Sequence, residues 1–303
     1  MIRRGKQEDK KAIFDLYHKS GILNFESQDE YFTNAFIPEN VLVNEVNGFI
    51  VASAQTDYRP LMLHDKRLSV SIVFGQFYDR SKGIRYYDAL MDEVFQQQEY
   101  KTLVTIIPTK NPAEYEKYGF ESIYNQRLYT ISRGNLKNSS YLGVNKNFTI
   151  KDLVKVYTAF IENFNGYLIR DYNYYLNLID LLQTKRYNLV AFYDDDAICK
   201  GYMIYYIDSN KVVIEEIIYL DGLALTRLLC YALRRKKSIQ VYVSEHEDLS
   251  KAYPSVSYRL VNRYVARIND IELFNKLYKS NITTSKEGFN LFNKALYIND
   301  LNY

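Results

Sequence analysis

The segment Arg80-Ser81-Lys82-Gly83-Ile84-Arg85 carries the strongest chemical signal in the chain. It lies between an apolar run of strand character, Leu68 to Phe77, and a stretch of helical period, Ile84 to Gln98. That helix has the inner face Ile84, Tyr87, Leu90/Met91 and Val94/Phe95. A helix leaves its first N–H groups without partners, and its dipole adds partial positive charge there. Such an end suits an anion, a pyrophosphate for example. Arg80 and Lys82 add charge, and Gly83 permits close approach to the backbone. Charged turns with glycine are also common as plain connections, so the loop by itself leaves that reading open.

Other chemistries find little support. The two cysteines, Cys199 and Cys230, stand alone in apolar settings and read as inert buried thiols. His18, His64 and His246 are far apart and form no HExxH pair, so no metal site is expected. Asp194-Asp195-Asp196 reads as an acidic turn without the spacing of a calcium loop. Arg234-Arg235-Lys236-Lys237 ends a helix, where cations complement the dipole. A net charge of +3 does not point to nucleic acid. No apolar run reaches the roughly 18 residues that span a bilayer. The N-terminus turns polar at Gln7-Glu8-Asp9, so neither a membrane nor a secretory signal is expected, and the cytoplasm is the default compartment.

The elements around the loop follow from periodicity. Gln7 to Ser20 reads as an amphipathic helix and Glu30 to Ala35 as a short one. Asn47-Gly48 joins Val41–Val46 to Phe49–Ser53 as a hairpin, since both turn residues must reach positive φ. Tyr58–Leu63 and Leu68–Phe77 read as further strands turning at His64–Arg67. Thr102–Ile107 is a buried strand, Asn111-Pro112 opens a short helix through Tyr115 to Tyr118 that Gly119 stops, and Phe120–Ile131 reads as two last strands. After a polar stretch, 134–147, the grammar repeats: two helices, an antiparallel meander, the helix Ala224–Arg235, then strands Ile239–Val243 and Leu260–Arg267. A chain of 303 residues is long for one core. The expected division is 1–133, 148–278 and a tail 279–303, in an α/β (α+β mixed-sheet) class.

The order of these elements, together with two motifs, resembles the GNAT superfamily of N-acetyltransferases. Arg80-Ser81-Lys82-Gly83-Ile84-Arg85 is similar to the Q/R-x-x-G-x-G/A loop of that superfamily and departs at its last position, Arg85. Ala113-Glu114-Tyr115-Glu116-Lys117-Tyr118-Gly119-Phe120 is similar to its closing F-Y-x-K-x-G-F segment. Val261-Asn262-Arg263-Tyr264-Val265-Ala266-Arg267-Ile268-Asn269-Asp270-Ile271-Glu272-Leu273-Phe274 resembles a segment of the enhanced-intracellular-survival (Eis-like) acetyltransferases. Gly201–Tyr205 and Ile217–Tyr219 resemble parts of their second domain. The likeness spans residues 1–278.

The resemblance implies two tandem GNAT-like domains and acetyl-CoA as a substrate. It implies transfer to an amine of a small molecule or peptide, without a metal. Arg80, Ser81, Lys82, Gly83, Ile84 and Arg85 would grip the pyrophosphate in the N-terminal domain only. The strand residues Phe74, Gly75 and Gln76 would offer a backbone N–H to the thioester oxygen. Tyr115 would protonate the departing thiolate. Glu26 and Glu45 are the candidates for the base. Eis-like proteins carry a third, sterol-carrier-like domain, and the 25 residues 279–303 are too few for it; Tyr303 reaching back is the remaining route for a terminal carboxylate. A non-catalytic CoA-binding or scaffold protein is the alternative, and homo-oligomerisation is left open.

Overall fold

The computed structural model describes residues 1–20, 31–136, 140–184, 187–234, 236–292 and 294–301. β1 (Ile2–Arg4) leads to α1 (Lys10–Lys19), β2 (Val41–Val46), β3 (Phe49–Leu63), β4 (Lys66–Tyr78), α2 (Arg85–Glu99) and β5 (Val104–Pro108). Then follow β6 (Glu121–Ser132), β7 (Val144–Asn145), α3 (Ile150–Ile161), β8 (Gly166–Leu168) and α4 (Tyr172–Thr184). The meander β9 (Asn188–Tyr193), β10 (Cys199–Ile207) and β11 (Val212–Tyr219) precedes α5 (Gly222–Leu233) and β12 (Ser238–Ser244). β13 (Ser257–Ile268), α6 (Ile271–Tyr278), α7 (Ser285–Phe289) and β14 (Leu296–Tyr297) complete the chain.

The expected α/β class holds, with differences in the strands. Asn47 and Gly48 do turn β2 into β3, at φ 51° and 80°. The two strands expected over 49–63 are one, because β3 pairs with β4 from Ala52↔Tyr78 to Leu63↔Lys66. A tight turn at His64 and Asp65, both with positive φ, joins them. Phe120–Ile131 likewise forms a single strand, Glu121–Ser132, rather than two.

Two compact units result, and they are not the linear halves expected from the polar stretch 134–147. One comprises Met1–Ile123 and Tyr264–Asn293, the other Tyr124–Arg263 and Lys294–Leu301. Strand pairing is the reason. In the first unit β5 pairs antiparallel with Tyr264–Ile268 of β13. In the second, β12 pairs antiparallel with Gln126–Ser132 of β6. The described residues of the nominal tail 279–303 are therefore divided between the two units.

In the first unit α2 lays Leu90, Met91, Val94 and Phe95 against Ala52, Val73, Ile107 and Phe120. α1 buries Ile13, Leu16 and Tyr17 with Val41, Val43 and Phe77. In the second, α5 buries Ala224, Leu225, Leu228 and Leu229 against β10 and β11 residues Met203, Ile214 and Ile217. Cys199 and Cys230 are both buried, and burial raises the Cys199 thiol to about 11.

The second unit also buries an ion pair. Arg170 donates from Nη1 and Nη2 to the two carboxylate oxygens of Glu216 at 2.9 and 2.8 Å, with both side chains fully inaccessible. Tyr202, Tyr297 and Asn299 donate to the same carboxylate. Removing one member of such a pair strands the other, at a cost of about 3–5 kcal/mol. Arg170→Met is expected to lose about that much in urea unfolding, and adding Glu216→Gln should recover most of it. An additive double variant would show that the two side chains are not coupled.

Candidate active site

β4 and β5 run parallel, and their pairing is short: Val70↔Val104, Ser71↔Thr105 and Ile72↔Ile106. Buried hydroxyls clamp this closed end. Ser71 Oγ meets Thr102 Oγ1 at 3.0 Å and donates to Thr105 Oγ1 at 2.9 Å. Asn269 Nδ2 donates to Thr102 O and Thr105 Oγ1 at 2.8 and 2.9 Å. Beyond Ile72 and Ile106 the strands separate. β4 stays with β3, while β5 continues as Ile107 and Pro108 along β13.

A bulge turns β4 away. Gln55 pairs with Phe74 but Ser53 with Phe77, so Gly75 and Gln76 stand against the single residue Ala54. Gly75 supplies the φ of +60° that such a bulge needs. Nothing larger fits, because a Cβ there would lie 2.5 Å from the Tyr31 hydroxyl. Tyr31 in turn donates to Gln55 Oε1 at 2.9 Å, and Gln55 Nε2 donates to Ala35 O at 2.6 Å. The bulge takes its extra residue out of the ladder, within the Phe74–Gln76 segment expected to face the thioester.

Tyr115 reaches this bulge. It sits between the 3-10 turns Pro112–Glu114 and Glu116–Tyr118, which together occupy the span of the one short helix expected, and Gly119 at φ 79° ends the second turn. Its hydroxyl donates to Gln76 Oε1 at 2.5 Å, and Tyr87 on α2 donates to the same oxygen at 2.8 Å. Gln76 Nε2 donates to Val73 O at 3.3 Å, which fixes the amide. Burial pushes the Tyr115 phenol up to about 12, and the neighbouring Tyr87 hydroxyl works the other way. Two further bonds pin the Tyr115 segment to α2: Tyr118 Oη and Lys117 Nζ both donate to Asp88 Oδ1, at 2.7 and 2.6 Å. A buried, still protonated phenol is thereby held on Gln76, on β4 beyond its last pairing with β5.

The loop Arg80–Arg85 lies at the far end of β4. Asp79 organises it, accepting from Ser81 N and Ser81 Oγ at 3.0 and 2.6 Å; these bonds, from the hydroxyl above all, hold its carboxyl below the usual range. The N–H groups of Lys82 and Gly83 donate to Asp79 O and Arg80 O. Those of Ser81, Lys82 and Gly83 are thus turned inward, contrary to the expectation that the whole loop presents them. The outward set begins one turn later. The first helical bond is donated by Asp88 to Ile84 O, and no side chain caps α2, so Arg85, Tyr86 and Tyr87 have N–H groups with no acceptor in the helix. Gly83, at φ 91°, has open space where a Cβ would stand. Arg80, Lys82 and Arg85 are exposed, and Arg85 lays its guanidinium on the Tyr86 ring at 4.6 Å.

Glu45 is drawn elsewhere: Arg3 Nε donates to its carboxylate at 2.7 Å. Glu26 and Tyr303 lie outside the described residues. Among the described residues no group of three His, Cys, Asp or Glu side chains could hold a metal ion. No helix among them is long and apolar enough to cross a membrane. Sequence reasoning missed Tyr87 as a polar group, having read it as part of the inner face of its helix.

The second unit repeats the splay without the opening. β11 and β12 are parallel only over Val212–Ile214 and Ile239–Val241. Beyond that point the chain's own residues 295–299 fill the gap. Ser244 Oγ on β12 donates to Leu296 O, while Tyr297 and Asn299 donate to Glu216 on β11. The following helix, α5, is capped by the Asp221 carboxylate, which accepts from Ala224 N at 2.8 Å. That end already holds an anion.

Solved structures match the chain over most of its length. A probable N-acyltransferase from Enterococcus faecalis V583 is 18% identical, with a TM-score of 0.73 over 90% of this chain and 74% of its own. The fold is that of the GCN5-related N-acetyltransferases. One of these, from Anabaena variabilis, is 15% identical with a TM-score of 0.73, over 89% of this chain and 73% of its own. Eis1 from Mycobacterium abscessus is 13% identical with a TM-score of 0.65, over 90% and 75%. No family model and no curated protein matches the chain. Within the GCN5-related fold, the parallel pair of each unit ends after three positions, and in the second unit residues 296–299 bond to both of its strands.

The Gly75 bulge is the local device that aims Gln76. Gly75→Ala meets both the Tyr31 ring and an unfavourable φ, and is expected to cost about 1–3 kcal/mol in thermal or urea unfolding. An unchanged stability would show that the bulge does not depend on glycine.

Proposed function

We propose that the chain is an Eis-like N-acetyltransferase that moves an acetyl group from acetyl-CoA to the amine of a small molecule or peptide in the cytoplasm. The observation that carries this reading is the Tyr115 phenol, held on Gln76 at the opening of β4 and β5. The uncapped end of α2 follows on the same path. The pyrophosphate would rest on the N–H groups of Arg85 and Tyr86, with Arg80 and Lys82 as exposed counter-charges. The pantetheine arm would run to the splay, bringing the thioester to the bulge.

The chemistry then needs little more. A neutral amine attacks the thioester carbon, forming the C–N bond, and negative charge develops on the carbonyl oxygen. Backbone N–H groups of Phe74–Gln76 would meet that charge. The C–S bond breaks, and the thiolate takes the proton of Tyr115. The proton lost by the amine passes to water, since Glu45 is held by Arg3. That engagement, together with Arg85 where the loop of this fold has a small residue, favours the second reading, a non-catalytic CoA-binding protein.

Two variants separate these readings. Gly83 has a φ of 91° and a ψ of 150°, a conformation nearly confined to glycine. Gly83→Asp also brings negative charge to the anion site, and it should abolish the rise in Tm that CoA produces. That rise corresponds to about 2.7 kcal/mol at a ligand concentration of 100 Kd. A rise equal to wild type would remove CoA from this loop. Tyr115→Phe keeps the ring and loses the proton. It is expected to lower kcat about 100-fold, with the KM for acetyl-CoA nearly unchanged. Turnover at the wild-type rate would exclude Tyr115 as the acid, and CoA binding without acetylation of any amine would favour the non-catalytic protein.

A further inference from the structure

Gln76 Oε1 accepts two phenolic protons, from Tyr115 and from Tyr87. An amide oxygen has two lone pairs, so both are taken. This geometry suits Tyr115 while it keeps its proton. Once the proton has gone to a thiolate, the Tyr115 oxygen is an anion facing the acceptor oxygen of Gln76. That arrangement is repulsive unless another donor turns toward it. Tyr87 is the donor at hand, because its hydroxyl shares the same amide oxygen and needs only to rotate about its C–O bond.

We propose that Tyr87 is a positioning residue for Tyr115, sharing Gln76 before proton transfer and donating to the Tyr115 oxygen after it. The assignment rests on the acyltransferase reading given above. Tyr87 is well placed for the role. It lies in the first turn of α2, the helix whose N-terminus forms the anion site, so the proton donor and the anion site share one rigid element. Its ring packs on Tyr78 at 4.9 Å, which holds the hydroxyl in place. Burial raises the Tyr87 phenol well above its ordinary value, so it remains a donor at every pH at which the protein works. The titratable groups around Tyr115 are Tyr87 from α2, and Glu114 and Tyr118 from its own segment. Glu114 opposes a phenolate and Tyr118 is turned to Asp88, which leaves Tyr87 to support it.

The test replaces Tyr115 in the full chain by a ring-fluorinated tyrosine whose phenol ionises within the stable pH range, and follows it by ¹⁹F NMR. Tyr87→Phe keeps the packing on Tyr78 and removes one hydrogen bond to the phenolate. The midpoint of ionisation is expected to rise by about one unit, a tenfold change in the ionisation constant. An unchanged midpoint overturns the proposal. In acetyl transfer, Tyr87→Phe should lower kcat roughly tenfold and leave the KM for acetyl-CoA unchanged. A raised KM with kcat intact would also overturn it. If Tyr115→Phe has no effect on turnover, the acyltransferase role of Tyr115 fails, whereas the ¹⁹F shift still reports whether Tyr87 supports its phenolate.

Discussion

The site depends on two neighbouring strands being prevented from pairing along their length. β4 and β5 are hydrogen-bonded at only three positions. Left to themselves, parallel strands would extend the ladder, since buried backbone groups need partners. Two features stop them. The bulge at Gly75 turns β4 outward, and Tyr264–Ile268 of β13 holds β5 from its other side. The hydroxyl cluster of Ser71, Thr102 and Thr105 with Asn269 keeps the closed end shut, so the opening is a fixed wedge. The same bulge brings Gln76 to the Tyr115 phenol.

The second unit shows how the same design can serve stability. Its parallel pair also ends after three positions. There the gap is filled from within, by residues that satisfy Glu216 and Ser244, and the neighbouring helix end is capped by Asp221. An internal segment, once in place, does the work that a ligand would do elsewhere. The buried Arg170–Glu216 pair fits this role, because a charge without solvent must be met on every side.

Local signals in the sequence were legible and distant ones were not. Asn47-Gly48 announced its hairpin, the period of 84–98 announced α2, and Arg80–Gly83 marked the strand-to-helix loop. Each depends on neighbours in the chain. The exchange that gives Tyr264–Ile268 to the first unit, and residues 124–132 to the second, rests on pairing between strands more than 100 residues apart. No local pattern encodes it. Within the site, Tyr115 was found through its surroundings, but Gln76 was marked only for its backbone. Tyr87 was one of 31 tyrosines on a face that periodicity assigns to the core. Its hydroxyl matters because a bulge elsewhere delivers an amide oxygen to it, and a bulge leaves little trace beyond one glycine. The inward turn of the loop amides likewise needed the Asp79 side chain to be seen.

The most direct measurement is a crystal structure with a non-hydrolysable acetyl-CoA analogue. The account places the pyrophosphate on the first N–H groups of α2 and the sulfur within hydrogen-bonding reach of the Tyr115 hydroxyl, with residues 295–299 undisturbed. An analogue seated between β11 and β12, or one whose sulfur lies away from Tyr115, would contradict it.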